Sequence, residues 1–247
     1  MRVLVTGATG LVGRQLGILL VQRGHKVYVL SRSKEKAKLV CPFPCEVLEG
    51  DLAASKFPSL SEIELDAVIN LAGESVVGAR WSEESKKEIS RSRVDFTKNL
   101  VGSLKNIKKF ISASAIGFYG EGGENDLTVS SPSDGSFLSE VCRQWEEEAF
   151  QARHLGAKVS CLRIGIVLSR EGGALEKMLF PFKAGVAGAL GSGQQWMSWI
   201  HIRDLVRLLV HTLENDAPPV INAVAPNPVR NLDFSRALAK VLGRWLG

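Results

Sequence analysis

Apolar residues are distributed along the chain in two distinct patterns. Continuous apolar runs stand at Arg2 to Thr6 (RVLVT), Lys26 to Ser31 (KVYVLS), Glu46 to Leu48, Ala67 to Ala72 (AVINLA), Phe110 to Ala113 and Val159 to Val167. Such runs predict strands buried on both faces, as in a parallel sheet covered by helices. Between several of them apolar residues recur at helical spacing, as in Leu11, Leu16, Leu19 and Leu20 or Phe137, Val141, Trp145 and Ala149. The alternation is a βαβ series, and the fold class it predicts is α/β.

After about residue 170 the rhythm changes. Glycines and aromatics crowd Gly172 to Trp199, and a helix-like run with Leu205, Leu208, Leu209, Thr212 and Leu213 on one face follows. Two proline-rich turns, Ala217-Pro218-Pro219 and Ala225-Pro226-Asn227-Pro228, bracket a short strand at Val220 to Val224, and a last helix is expected from about Asn231 to Leu242. The organisation expected is a core over residues 1–168 and a small lobe over 169–247, interleaved with it.

Composition narrows the class without changing it. A chain of 247 residues, 45% hydrophobic and 23% charged, is neither disordered nor collagen-like, and it has no apolar run long enough to span a bilayer. The first strand begins at Arg2, which leaves no room before it for a targeting segment, so the expectation is a cytoplasmic protein. The net charge of +5 is spread along the chain, and its densest stretch, Ser31 to Lys38, is short; neither nucleic acid nor a membrane surface is expected as a partner. Four cysteines make no disulfide framework. Cys41 and Cys45 flank Pro-Phe-Pro but lack the further ligands a zinc site needs, so free thiols and no metal are expected.

The strongest chemical signal is Thr6-Gly7-Ala8-Thr9-Gly10-Leu11-Val12-Gly13, at the end of the first strand and the start of the first helix. Glycines at 7, 10 and 13 allow a tight turn, close backbone approach to a pyrophosphate and close packing of helix on strand, while the helix N-terminus offers free N–H groups. The second strand ends at Leu30-Ser31-Arg32, where a chain selecting NAD carries Asp or Glu for the ribose 2′-hydroxyl. A guanidinium matches a 2′-phosphate, so NADP is expected over NAD; the other reading is that Arg32 and Lys34 are a solvated loop. Asp51 and Leu52, closing the third strand, are read as a hydrogen bond and an apolar wall for the adenine.

These residues, with Asn70-Leu71-Ala72-Gly73 and SASAIGFYG (Ser112 to Gly120), resemble the short-chain dehydrogenase/reductase superfamily in its extended, epimerase-like form. More narrowly, GESVVGARWSEESKKEISRSRV, LRIGIVLSREGGAL and PFKAGVAGALGSGQQWMSWIHIRDL are similar to one atypical family, whose members carry the names nucleoside-diphosphate-sugar epimerase and cell-division inhibitor. The resemblance implies a doubly wound (Rossmann) sheet binding a nicotinamide dinucleotide, and a C-terminal lobe closing a substrate cleft. It implies that Gly7, Thr9, Gly10, Leu11 and Val12 hold the pyrophosphate, Ser31 and Arg32 the 2′-phosphate, and Leu71, Ala72 and Gly73 the adenosine side. Glu88 and Arg93 would face the cofactor cleft, their other reading being a solvated helix, and Val167 would sit near the nicotinamide end. The substrate implied is a small molecule, nucleotide-linked in one reading, and a homodimer is compatible with the family. Family members run on past a segment like Leu242-Gly243-Arg244, so the expectation is a substrate lobe cut short at the C-terminus.

The catalytic pair of the superfamily is missing. Active members use Tyr-x-x-x-Lys, but the two tyrosines here, Tyr28 and Tyr119, are followed four residues on by Arg32 and Gly123. At the corresponding place stands Phe137-Leu-Ser-Glu-Val141. Tyr119 and Ser114 are the candidate catalytic groups, and His201 reads either as a proton donor or as a helix cap. Two functions stay open: an NADP(H)-dependent oxidoreductase or epimerase-like enzyme with a nonstandard proton donor, and an NADP(H)-binding sensor or regulator without turnover.

Overall fold

The computed structural model describes residues 1–51, 60–74, 76, 81–184 and 188–243. Leu52, named above for the adenine wall, and residues 244–247 at the C-terminus lie outside the described residues.

Seven strands form one parallel sheet: β1 (Arg2–Thr6), β2 (Lys26–Ser31), β3 (Glu46–Glu49), β4 (Ala67–Asn70), β5 (Lys109–Ala115), β6 (Lys158–Ile164) and, later in the chain, β10 (Val220–Ala223). Their spatial order is β10-β6-β5-β4-β1-β2-β3. The chain therefore winds outward from β1 through β2 to β3, returns to β4 on the other side of β1, and winds outward again. That reversal between β1 and β4 is the switch point at which open α/β sheets leave a crevice beyond the carboxyl ends of their strands.

Helices α1 (Leu11–Gln22), α2 (Lys34–Val40) and α7 (Ile202–Glu214) cover one face, packing Leu16, Leu20, Ala37, Leu205 and Leu209 on Val3, Val5, Val29 and Ile69. On the other face α4 (Val94–Ser103) and α5 (Phe137–Phe150) pack Leu100, Val101 and Ala149 on Leu4, Val68 and Phe110. α3 (Glu83–Arg91) precedes α4. Each fully buried Leu, Ile or Phe contributes about 1.5–3 kcal/mol by leaving water, so the continuous apolar runs account for the sheet's position between two helical layers.

Two runs end earlier than their apolar pattern suggests. The run from Val159 to Val167 splits at Gly165 into β6 and β7 (Ile166–Leu168). There the chain leaves the main sheet, β7 pairs with β9 (Trp199–His201), and a Cβ on Gly165 would stand 2.7 Å from the Ser198 carbonyl oxygen. The run from Ala67 to Ala72 stops as a strand at Asn70, because the N–H groups of Leu71 and Ala72 turn to the Thr6 hydroxyl.

Of residues 169–247, α7 and β10 return to the core: α7 lies against α1, and β10 is the edge strand beside β6. The remainder is α6 (Ala174–Lys183), β8 (Trp196–Met197) paired with β11 (Val229–Arg230), β9 on β7, and α8 (Asn231–Val241). Asn231, buried, ties this part together by accepting the Leu190 N–H at 2.7 Å and donating to Met197 Sδ at 3.2 Å. Among the described residues no helix is long and apolar enough to cross a membrane.

Candidate functional site

At the switch point the chain closes a tight turn: the Gly10 N–H donates to the Gly7 carbonyl at 3.0 Å, and Gly10 caps α1 with no side chain of its own. Gly7 has φ +67°, and a Cβ on it would stand 2.6 Å from the Leu71 carbonyl oxygen at the end of β4. At Gly13 a Cβ would meet the Gly7 carbonyl oxygen at 2.4 Å. Only glycine lets the turn, the end of β4 and the first turn of α1 approach so closely, and the N-terminus of α1 is left with its N–H groups toward the crevice.

The crevice has a volume of about 260 Å³. Of the residues expected from sequence, Gly7, Thr9, Gly10, Ser31, Arg32, Asp51, Leu71, Ala72, Gly73 and Glu88 line it. Leu11 and Val12 lie in the first turn of α1 and pack on the core, as does Val167 in β7, so these three stand behind or beside the lining. Arg93 stands immediately behind Gly73, its guanidinium 3.1–3.4 Å from where a Cβ there would be. It donates to the Glu74 carbonyl at 2.7 Å and the Ile89 carbonyl at 3.3 Å, and faces the Trp145 ring at 5.4 Å. Burial pushes the Arg93 guanidinium below its ordinary range.

Sequence reasoning missed Leu30, Gly50, Glu74, Ser92 and Phe96 in the lining. Leu30 and Gly50 directly precede residues that were named, so strand-end position could have found them. Glu74 directly follows the named Gly73 and could have been found in the same way, whereas Ser92 and Phe96 are brought in by the end of α3 and by α4, and their spacing carries no such signal.

Beneath the crevice floor lies a buried polar network that was also missed. The Thr6 hydroxyl donates to Asn70 Oδ1 at 2.6 Å, and Asn70 Nδ2 donates to the Thr97 hydroxyl at 2.9 Å. Trp145 Nε1 donates to that same hydroxyl at 2.9 Å. Thr97 thus joins β4 to α4 and α5 behind the residues that line the crevice. Thr97→Val keeps the shape and removes the acceptor for two buried donors; the expected cost is about 1–3 kcal/mol, read as a lower denaturant midpoint. A midpoint unchanged within error would show that the network does not support the floor.

At the other end of the sheet, Ser114, Arg163 and Asn222 are register neighbours on β5, β6 and β10. Arg163 and Glu146 of α5 form a buried two-pronged ion pair, Nε to Oε1 at 2.8 Å and Nη2 to Oε2 at 2.9 Å. The Ser114 hydroxyl donates to Glu146 Oε1 at 2.6 Å. Arg163 Nη1 donates to the Tyr119 hydroxyl at 3.0 Å, and that hydroxyl donates to Asn222 Oδ1 at 2.5 Å. The structure therefore brings both candidate catalytic groups into one cluster. Both side chains are buried, Ser114 3% and Tyr119 5% exposed, and neither lines the crevice.

His201 caps α7, its Nδ1 accepting the Arg203 N–H at 3.3 Å. All four cysteines are free, and no cluster of His, Cys, Asp and Glu among the described residues could hold a metal ion.

Comparison with known proteins bears on the family and the fold. Residues 3–223 match the model of the NAD dependent epimerase/dehydratase family. The chain is 41% identical over 256 residues to the chloroplastic epimerase family protein SDR39U1 homolog of Arabidopsis thaliana, covering 100% of this chain and 73% of that protein. The crystal structure of human epimerase family protein SDR39U1 (isoform 2) with NADPH superposes with a TM-score of 0.83 at 35% identity, covering 99% of this chain and 81% of that one. The nucleoside-diphosphate sugar epimerase from Corynebacterium glutamicum matches with a TM-score of 0.82 at 36% identity, covering 98% of this chain and 50% of that one.

Proposed function

The chain belongs to the NAD dependent epimerase/dehydratase family, and we propose that it is an NADP(H)-dependent, oxidoreductase- or epimerase-like enzyme that holds its dinucleotide in the crevice between β1 and β4. The observation that carries this reading is the glycine cradle facing Arg32: close backbone approach where a pyrophosphate needs it, and an exposed guanidinium at the end of β2 where a 2′-phosphate needs it. The human relative crystallised with NADPH supports it.

A bound nicotinamide supplies hydride transfer. Gly7, Thr9 and Gly10, with Leu11 and Val12 in the first turn of α1, hold the pyrophosphate; Gly10 does so by close approach, since its N–H is given to the Gly7 carbonyl. Arg32 with Ser31 takes the 2′-phosphate, and Asp51, Leu71, Ala72 and Gly73 line the adenosine half. Glu88 lines the crevice from α3, Arg93 braces its floor behind Gly73, and Val167 borders the nicotinamide end. In the enzyme reading Tyr119 passes a proton at its hydroxyl, with Arg163 as the cation beside it and Ser114 as the neighbouring hydroxyl. The substrate class we assign is a nucleotide-linked small molecule, after the name of the Corynebacterium relative. Four free thiols suit a reducing compartment such as the cytoplasm, although the Arabidopsis relative is named for the chloroplast.

One observation favours the second reading, an NADP(H)-binding sensor without turnover: the hydroxyls of Tyr119 and Ser114 are both committed to Asn222 and Glu146 inside the fold. Both readings need the crevice, and calorimetric titration with NADPH tests it. Saturable binding is expected for the native chain. In Gly7→Ala the left-handed backbone costs about 1–2 kcal/mol, and the added methyl meets Leu71, so affinity is expected to fall at least tenfold. No binding to the native chain overturns the proposal.

A further inference from the structure

Between Tyr119 and the start of α5 at Phe137 the chain makes a loop over residues 120–135 that nothing described so far uses. Its ends are joined in a neck. Asp134 packs so closely on Gly120 that a Cβ there would stand 1.7 Å from its carboxylate, and that carboxylate accepts the Glu121 N–H at 3.4 Å and the Ser136 N–H at 2.9 Å. Inside the loop the Asn125 N–H donates to the Gly122 carbonyl at 3.1 Å and the Ser131 N–H to the Thr128 carbonyl at 3.0 Å. Leu127 lies against Gly122, 2.6 Å from where a Cβ would be. A loop with joined ends and its own internal contacts is a compact unit that moves as one piece. Gly120 and Gly135, at the neck, have φ +65° and +77°, and a Cβ on Gly135 would have nothing within 4 Å. Glycine at 135 therefore answers to backbone freedom rather than to lack of space.

Two bonds fasten the inner side of the loop to the cluster around Tyr119. Arg163 Nη1, which donates to the Tyr119 hydroxyl, also donates to the Val129 carbonyl at 3.2 Å. Asn222, whose Oδ1 accepts from that hydroxyl, donates through Nδ2 to the Leu127 carbonyl at 3.5 Å. The same two side chains thus hold the loop and the phenol. The loop itself is exposed along most of its length, while Tyr119 is 5% exposed.

The outer side is fastened to the lobe by charge. The Glu124 carboxylate pairs with Arg230 of β11 at 2.5 Å. Arg230 is held independently of Glu124, since its guanidinium lies over the Trp196 ring of β8 at 3.9 Å and donates to the Gln194 carbonyl. The side chain of Glu124 is 75% exposed and that of Arg230 23%, so water and salt reach this ion pair from the loop side.

We propose that residues 120–135 are a lid over Tyr119, hinged at Gly120 and Gly135 and latched to the lobe by the Glu124–Arg230 ion pair. The lid does not depend on the dinucleotide reading; what it gates, the Tyr119 hydroxyl as a proton donor, rests on the enzyme reading above. With the lid shut, Arg163 and Asn222 bind loop and phenol together, and the hydroxyl stays committed inside the fold. When the lid swings out, the carbonyls of Leu127 and Val129 leave with it, and the space beside the phenol opens to solvent and to small molecules. An exposed ion pair is weak and screened by salt, so the latch sets the fraction of time the lid is open without locking it.

The test is nitration of the whole protein, with no dinucleotide added, by tetranitromethane at fixed pH, with peptide mass mapping of both tyrosines over time. The reagent is neutral, so salt does not steer its approach. Tyr28 in β2, 6% exposed with Lys26 over its ring, reports global unfolding. Tyr119 is expected to react at least tenfold more slowly than N-acetyltyrosinamide and several times faster than Tyr28. Glu124→Gln leaves the unfolding midpoint unchanged and speeds nitration of Tyr119 about two- to fivefold, the worth of an exposed ion pair. Arg230→Gln gives a similar factor, and the double variant adds nothing further, as for two halves of one contact. Raising NaCl from about 0.01 M to about 1 M brings the native rate up to that of Glu124→Gln and leaves the variant's rate where it was. Tyr119 reacting as fast as the free amide, or only in step with Tyr28, overturns the lid. A Glu124→Gln rate equal to the native one, or a native rate that ignores salt, overturns the latch. A lid that opens in protein shown by titration to bind no NADPH stands, while the dinucleotide reading falls.

Discussion

Glu146→Ala is expected to destabilise the protein by about 3–5 kcal/mol, because it leaves the Arg163 guanidinium buried without its counter-charge. The pair is 5% and 6% exposed at its side chains, so water cannot substitute for the missing carboxylate. The Ser114 hydroxyl loses its acceptor in the same substitution. Denaturant unfolding reads the effect as a shift in midpoint at constant slope. The double variant Glu146→Leu with Arg163→Met removes both charges at similar volume, and it is expected to recover most of the loss, since the cost lies in the orphaned charge rather than in the absence of attraction. A single variant within about 1 kcal/mol of the native chain would show that the cluster does not hold β5, β6 and α5 together.

Arg32→Asp carries the second large effect, a reversal of dinucleotide preference. The native chain is expected to bind NADPH more tightly than NADH, by roughly ten- to a hundredfold, the worth of a hydrogen bond to a charged group at about 1.5–3 kcal/mol. Most of this falls to Arg32. Arg32 lines the crevice and Lys34 does not, and the Ser31 hydroxyl already donates to the Ser33 carbonyl at 3.1 Å. A carboxylate at 32 removes the attraction, repels a 2′-phosphate and accepts from a ribose 2′-hydroxyl, so NADH becomes the better ligand. Equal affinities of the native chain for the two dinucleotides would refute the role given to Arg32.

The parts legible in sequence are those written by neighbouring residues. The βαβ order follows from apolar runs a few residues long, and the glycine turn from positions 7, 10 and 13. There the need for glycine is local: φ +67° at Gly7, and contact of Gly13 with the turn directly before it. Strand ends carried the prediction further, since Ser31, Arg32 and Asp51 close strands that the sheet places around one crevice. Where a run was read too far, as at Gly165 and Asn70, the reason lies in distant partners: the backbone at Ser198 for the one, Thr6 for the other.

Sequence alone determined that this chain is a βαβ protein with a phosphate-sized turn ahead of its first helix and a cation at the end of its second strand. Periodicity, glycine and charge act within a few residues, and each could be read in place. Tertiary structure decided what Tyr119 and Ser114 are part of. Ser114 meets Glu146 across 32 residues, and Tyr119 meets Asn222 across 103. The Tyr119–Asn222 encounter is set by strand order, because β10 joins the sheet beside β6 only after α6, β8, β9 and α7 have been traversed. A hydroxyl's chemistry depends on the partners it is brought to, and here the sheet, not the local pattern, brings them.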